Sequence, residues 1–410
     1  MMLWGFIKYL LLRLKIPLFL HVLFMFNALL HPAYAWEVSG YVGIEDLAFI
    51  NKPIVPQQHM NYVSGVIEAE LYHEWDNGNQ IFAFVPFMRV SQYDSNRTHF
   101  DIRELTWLIV SDAWELRLGI RKEFWGVTES NHLVDIINQR DTVENSDGED
   151  KLGQPMLNFA WIQDWGTLDA FILPGFRKRT FAGEEGRLRF PVPVDNSEAR
   201  FDKSGFARQV AYALRWSHSI GDWDLGVSHF YGTSRDPIFK VEQAANGAVK
   251  VIPHYQNINQ TGLDVQATID SWLWKLEAIV RVSNIDTTFA STAGFEYTFY
   301  NIADSGLDIG LLTEYLFDSR GRHAPTLFQD DFFAGMRFAL NDVQDTQILM
   351  GVMIDRTTQA QFYNVEASRR FFDSFKLEVE ARFFNGAPRY DLAYFLRQDS
   401  HFRIELSYHF

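Results

Sequence analysis

The last ten residues, HFRIELSYHF, alternate without a break. Phe402, Ile404, Leu406, Tyr408 and Phe410 share one face, and His401, Arg403, Glu405, Ser407 and His409 share the other. A period of two is that of a β-strand with one apolar and one ionic side. It recurs along the chain. In 114–124 the residues Trp114, Leu116, Leu118, Ile120 and Phe124 oppose Glu115, Arg117, Arg121 and Glu123. In 272–282 a row from Trp272 to Val282 opposes Lys275, Glu277 and Arg281, and in 375–383 a row from Phe375 to Phe383 opposes Lys376, Glu378, Glu380 and Arg382.

Turn residues separate these strands at two spacings. Eight tight connections fall at 76–79, 111–113, 164–167, 219–222, 270–271, 302–306, 341–346 and 372–374. Between them lie nine longer or more polar segments, at about 49–60, 92–99, 126–155, 177–206, 233–257, 318–330 and 385–399, with brief ones near 284 and 358. Nine alternating with eight join eighteen strands with both termini on the short-turn side, the plan of a transmembrane antiparallel β-barrel. Sixteen strands is the alternative count. The stretch 390–396 is assigned to the last long loop, because an odd strand number would put Phe410 on the wrong side.

A soluble sandwich also alternates, so composition has to separate the two. Aromatic residues make up 16% of the chain, and Trp75, Trp107, Trp114, Trp125, Trp161, Trp216, Trp223 and Trp272 stand near the ends of apolar faces, where interfacial girdles place them. Residues 1–35 read as an export signal. They are basic early (Lys8, Arg13, Lys15), apolar through about 16–30, and end on the small-x-small pattern of Ala33 and Ala35. Its removal takes the formal charge from −15 to −18, which excludes nucleic acid as a partner. The absence of cysteine rules out disulfides and thiolate metal sites.

Charges on the face opposite the lipid need water or partners, and a barrel of this size encloses an aqueous channel. The expected pore-lining residues are Glu115, Arg117, Arg121, Glu123, Arg281, Arg337, Arg370, Arg382 and Arg403. A ladder of ion pairs that only satisfies the wall is the alternative reading of the same residues. The 30 residues 126–155 are far more than a crossover requires. They carry seven acids and the apolar run 133–137. The expectation is an inward-folded constriction in which Asp135, Asp141 and Glu144 meet lumen arginines and the apolar run forms a short helical turn on the inner wall.

Two blocks, Arg103 to Met156 and Phe328 to Asp342, resemble a family of porin-like outer-membrane proteins of proteobacteria, in which a strand ending in Trp-Gly runs into a D-x-x-N-x-x-D segment and closes at K-L-G-Q-P. The resemblance implies location and architecture but no substrate and no set of functional residues.

Catalytic motifs such as G-x-S-x-G and H-E-x-x-H do not occur. His218, Ser228 and His229 lie on adjacent strands without a marked third member. The acidic run at 145–150 lacks the spacing of a calcium loop. The basic cluster Arg177, Lys178, Arg179, Arg187 and Arg189 suits anionic solutes or the phosphates of lipopolysaccharide equally. The reading is therefore a non-enzymatic porin-like channel in the outer membrane of a Gram-negative bacterium, with no cofactor or metal. Its partners are the surrounding lipid and lipopolysaccharide, the insertion machinery that reads the terminal strand, and small hydrophilic solutes. A conduit for lipid or hydrophobic molecules is the first alternative, but the apolar lumen it would need is not visible in the alternation. A barrel-borne hydrolase is the second.

Overall fold

The computed structural model describes residues 36–203, 205, 209–243 and 247–410. The export signal expected at 1–35 lies outside them. Eighteen antiparallel strands form one closed sheet: β1 (Glu37–Phe49), β2 (Asn61–Trp75), β3 (Gln80–Ser91), β4 (His99–Ser111), β5 (Trp114–Arg121), β6 (Gln154–Gln163), β7 (Gly166–Leu173), β9 (Ala211–Ile220), β10 (Trp223–Thr233), β13 (Asn257–Ile269), β14 (Trp272–Val282), β15 (Thr287–Phe299), β16 (Asp308–Asp318), β17 (Asp330–Ala339), β18 (Gln347–Asp355), β19 (Gln361–Phe371), β20 (Phe375–Asn385) and β21 (His401–His409). The last strand pairs with the first from Tyr41 with His409 to Phe49 with His401, so the sheet has no free edge. Three further strands, β8 (Arg200–Phe201), β11 (Ile238–Gln243) and β12 (Val249–Tyr255), build a small separate sheet from two of the long loops.

All eight short turns and nine long connections stand where the hydropathy pattern puts them, and the eighteen-strand count follows. At the first tight turn Asp76, Asn77 and Gly78 all take positive φ (57°, 55° and 84°), the backbone that reverses two right-twisted strands and that Asn, Asp and Gly adopt at least cost. The stretch 390–396 does belong to the last long loop, where Leu392–Leu396 form a 3₁₀ turn.

The two faces of the wall separate as the alternation requires. Ile44, Phe402, Ile404, Leu406 and Tyr408 are exposed outward, while Glu45, His401 and Glu405 are buried inward. Outward apolar side chains continue around the ring, through Phe159, Leu214, Val227, Val280 and Phe289. A belt of this extent exceeds anything a water-soluble barrel exposes and is the surface of a barrel solvated by lipid. Every described tryptophan except Trp125 lies at or within about four residues of the short-turn end of its strand, a one-sided interfacial girdle.

Trp125 departs from the expectation. The strand stops at Arg121, four residues early, and Trp125 is buried inside the barrel, with its ring 5.7 Å from Phe171 and beneath the Arg215 guanidinium. Its amphipathic ring serves the lumen instead of the lipid interface. One face assignment also changes along a strand. Between β3 and β4 the register slips at Pro86, which has no N–H to give the ladder; Val85 pairs with Glu104 and Pro86 with Ile102, leaving Arg103 as the extra residue of a bulge. Phe100 points outward before the bulge and Trp107 after it, so Arg103 turns into the lumen although it has the parity of Trp107.

Candidate functional site

The connection from β5 to β6, residues 122–153, enters the barrel and crosses it. Its polar arm runs to the far wall. Glu129 Oε2 accepts a hydrogen bond from Arg337 Nη2 at 2.7 Å, and Arg337 sits on β17, the ninth neighbour of β5 in a ring of eighteen. The contact therefore spans the diameter. On the way, the buried Glu277 carboxylate of β14 accepts from the backbone N–H groups of Val127, Thr128 and Val134 at 2.7, 2.9 and 3.1 Å. Glu314 of β16 accepts from the N–H groups of Glu129 and Ser130, both at 2.8 Å. Wall carboxylates thus take up backbone donors that a loop without secondary structure leaves unpaired.

Beyond this crossing, the apolar run settles on the inner wall. Val134, Ile136 and Ile137 are almost fully buried, with Trp125, Phe171, Leu173, Phe230, Ile258 and Ile279 around them. The run forms no helical turn, contrary to the sequence expectation. Its backbone is held by side chains instead. Asp135 Oδ1 accepts from the N–H groups of Trp125 and Gly126 at 2.6 and 3.0 Å, and Asn138 bridges Glu123 N, Arg121 O and Leu152 O.

The returning arm docks on β3, β4 and β20. Asp141 meets Arg103 at 2.7 Å, Glu144 meets Arg89 at 2.8 Å, and Asp147 meets Arg382 at 2.9 Å. Asn145 donates to both oxygens of Glu380, 3.2 Å each. Beneath them Glu45, with no exposed surface, is shared by Arg97 at 2.5 Å, Arg403 at 2.7 Å and Arg89 at 3.3 Å.

Of the residues expected to line the pore, Arg337, Arg382 and Arg403 join this lattice. Arg281 instead binds Gln260 at 2.8 Å and Asp236 of the β10–β11 loop at 3.2 Å. Glu115 with Arg117, and Arg121 with Glu123 at 3.3 Å, form local pairs on the half-exposed wall of β5 and just beyond it. Arg370 stands exposed at the short-turn end with no ion pair among the described residues. Of the three loop acids, Asp141 and Glu144 meet arginines. Asp135 does not: its charged partner is Lys151 of the same loop, which lies closer to it than any wall arginine.

Sequence reasoning missed Glu45, Arg89, Arg97 and Arg103. Strict alternation along β1 and β3 does place Glu45 and Arg89 inward, so the signal was present. For Arg103 the bulge inverted it.

The arginines of the basic cluster are partnered within the protein, and Lys178 is exposed. Arg177 pairs with Asp101 at 2.8 Å, Arg179 with Asp236 at 2.8 Å and Arg187 with Asp399 at 2.8 Å, while Arg189 and Lys178 donate to backbone carbonyls. These charges tie the 174–210 connection across the mouth. Ser228 and His229, as consecutive strand residues, point to opposite faces, Ser228 buried inward and His229 exposed outward, so the serine and that histidine do not meet.

His99, Asp141 and Glu144 offer ligand atoms within 4.8 Å of one another. Arg89 and Arg103 already bind the two carboxylates, and that positive surround disfavours a divalent cation. Elsewhere in the loop, burial works against the charge of His132. Glu149 at 2.7 Å and Glu277 at 3.9 Å prevail and raise the imidazole to about 10.

What the crossing leaves open is a cavity of about 620 Å³ between the loop and the wall of β17 to β20. Its loop side is polar: Glu129, His132, Arg140, Asp147 and Glu149. Its wall side is mixed, with Asn364, Glu366 and Arg382 beside an apolar group. Phe333, Leu349, Met353 and Phe362 point inward there, and Phe328 joins them from the β16–β17 connection. The apolar lumen surface that the alternation did not reveal is therefore present beside this cavity, apart from the sector that the loop's own apolar run covers.

No family model matches the chain, and no curated protein matches it. Solved structures that share its outline include a double mutant of the porin of Rhodopseudomonas blastica, at 12% identity over 92% of this chain and all of that one, with a TM-score of 0.44. A loop-deletion form of OmpT, an outer membrane protein of Vibrio cholerae, aligns at 10% identity over 92% of this chain and all of that one, also with a TM-score of 0.44.

Proposed function

We propose that the protein is a porin-like channel of the outer membrane of a Gram-negative bacterium, passing small water-soluble solutes by diffusion through a lumen narrowed by residues 126–155. The observation that carries this reading is the Glu129 to Arg337 contact across the barrel diameter, together with the cavity left beside it. A barrel that served only as an anchor would not need a cross-lumen loop hydrogen-bonded to β3, β4, β14, β16, β17 and β20. The ionic wall keeps the lumen wet, and the loop sets how much of it stays open. The purified protein, inserted into a planar bilayer, is expected to give steady, weakly voltage-dependent single-channel currents in potassium chloride. A silent bilayer containing demonstrably folded barrel would overturn the proposal.

A further inference from the structure

A pore for ions and sugars has no use for exposed apolar side chains, because uncovered apolar surface in water costs free energy in proportion to its area. Yet three adjacent strands turn apolar side chains towards the cavity: Phe333, Met353 and Phe362 stand in register at one height, the first two nearly buried and Phe362 half-buried, and Leu349 is half-buried farther along β18. On β17 and β18, Gly335 and Gly351 face each other across the ladder, and the Phe333 ring lies over both. A Cβ on Gly351 would come within 2.4 Å of that ring and one on Gly335 within 2.9 Å. The two glycines let the phenylalanine lie along the wall, so the cavity beside it stays open. Phe362 of β19 stands edge-on to Phe384, 4.3 Å away, and to Phe328 at 6.2 Å. Leu349 and Met353 fill the surface between. Towards the mouth the apolar lining continues on three loops, where Phe190 packs edge-on against Phe239 at 5.0 Å and Phe395 at 5.5 Å.

The opposite side of the same cavity carries charges of both signs. Glu149 is the more exposed acid of the loop and Arg140 its more exposed base, while Glu366 stands on the wall itself, on β19 opposite Leu349. We infer that the cavity is a binding site for a small amphipathic solute, its aromatic or alkyl body on the wall formed by Phe328, Phe333, Leu349, Met353 and Phe362 and its polar head towards the charged loop. The volume suits one such molecule. Aliphatic Leu349 and Met353 among the rings favour an apolar body over a sugar, which stacks on flat aromatic faces while polar neighbours hold its hydroxyls. Charges of both signs opposite mean that the wall selects the body, not the sign of the head. This inference rests on the channel reading for transport but not for binding.

The test compares solutes that share a head and differ in body: phenylalanine against glycine, and benzoate against acetate. In single-channel recordings phenylalanine and benzoate are expected to interrupt the potassium chloride current in a concentration-dependent way, with glycine and acetate inert. The double variant Leu349→Ser, Phe362→Ser is expected to weaken that block by about tenfold or more, the scale set by losing apolar contacts in a pocket, with block read as the fraction of each channel's own unblocked current. Leu349→Asn alone serves if the double variant fails to show heat-modifiable folded barrel. Binding is read separately by fluorine NMR of 4-fluorophenylalanine with detergent-solubilised protein, where the line broadens with the parent and less with the variant. That readout holds even if no current flows, so a failed channel reading and a failed binding site are told apart. Equal effects of glycine and phenylalanine, block by maltotriose with phenylalanine inert, or broadening unchanged in the variants would each overturn the inference.

Discussion

Two single residues carry much of the lattice that holds the crossing loop, and they act by opposite means. Glu45 is enclosed by three guanidinium groups, so Glu45→Gln leaves positive charges facing one another without their shared anion. Breaking a buried network by removing one partner costs about 3–5 kcal/mol. The expected outcome is a loss of that order in urea unfolding of the reconstituted barrel. Arg117→Ser, which breaks a half-exposed pair, is expected to cost no more than about 1 kcal/mol and to shift the reversal potential towards cations. His132 works through protonation. Its folded pKa is raised, from 6.5 to about 10, so the stabilisation it gives is complete below about pH 6.5 and is lost as pH rises through about 10. Current fluctuations are expected to increase above that pH in the parent and to show no such step in His132→Gln. An imidazole that titrates near 6.5 by NMR would dismiss the ion pairs with Glu149 and Glu277.

At the scale of the element, the loop from 122 to 153 is held by side chains of six wall strands, β3, β4, β14, β16, β17 and β20, yet it forms neither helix nor strand. Its stability comes from carboxylates of the wall accepting backbone N–H groups. Deleting 131–147 removes the arm that reaches β20 and the apolar run beside Glu277. The backbone ladder of the barrel is untouched, and the uncovered wall is ionic except for the patch around Phe171, Phe230, Ile258 and Ile279, so the barrel is expected to stay folded and heat-modifiable while single-channel conductance rises severalfold. Unchanged conductance would show that ions take a path the loop does not touch. The same element marks how far the sequence was readable. Strand positions and their inward charges follow from a period of two, which is why Arg337, Arg382 and Arg403 were legible. A bulge is invisible to that period, which hid Arg103, and Asp135 was misassigned because a loop's own lysine is nearer to it than any wall arginine. The apolar sector escaped for another reason. On β17 the run Phe332-Phe333 presents an aromatic to each face, so simple apolar counting takes both as lipid-facing or neither.

For the whole molecule, closure is the step on which everything inside depends, because a lumen exists only when β21 meets β1. That seam is made of backbone bonds from Tyr41 with His409 to Phe49 with His401. It is then extended by one residue. Phe410 N donates to Gly40 O at 3.0 Å, and Gly40 N donates to Phe410 O at 3.1 Å. On its other side Gly40 is a tight place, since a Cβ there would come within 2.4 Å of Glu68 O on β2, so a residue without a side chain lets β1 lie this close to β2. The Phe410 ring, exposed on the outward side, continues the row Phe402, Ile404, Leu406 and Tyr408. Deleting Phe410 removes both terminal hydrogen bonds and the last aromatic of that row, leaving Gly40 unpaired on the seam side while β2 still holds its other edge. The truncated chain is expected to close more slowly, with less heat-modifiable barrel in outer-membrane fractions, while Phe410→Trp, which keeps both the backbone pair and an aromatic ring, restores it. Equal amounts of folded barrel from the truncated and parent chains would mean that the seam from Tyr41 to Phe49 is sufficient by itself, and that the terminal aromatic has no part in assembly.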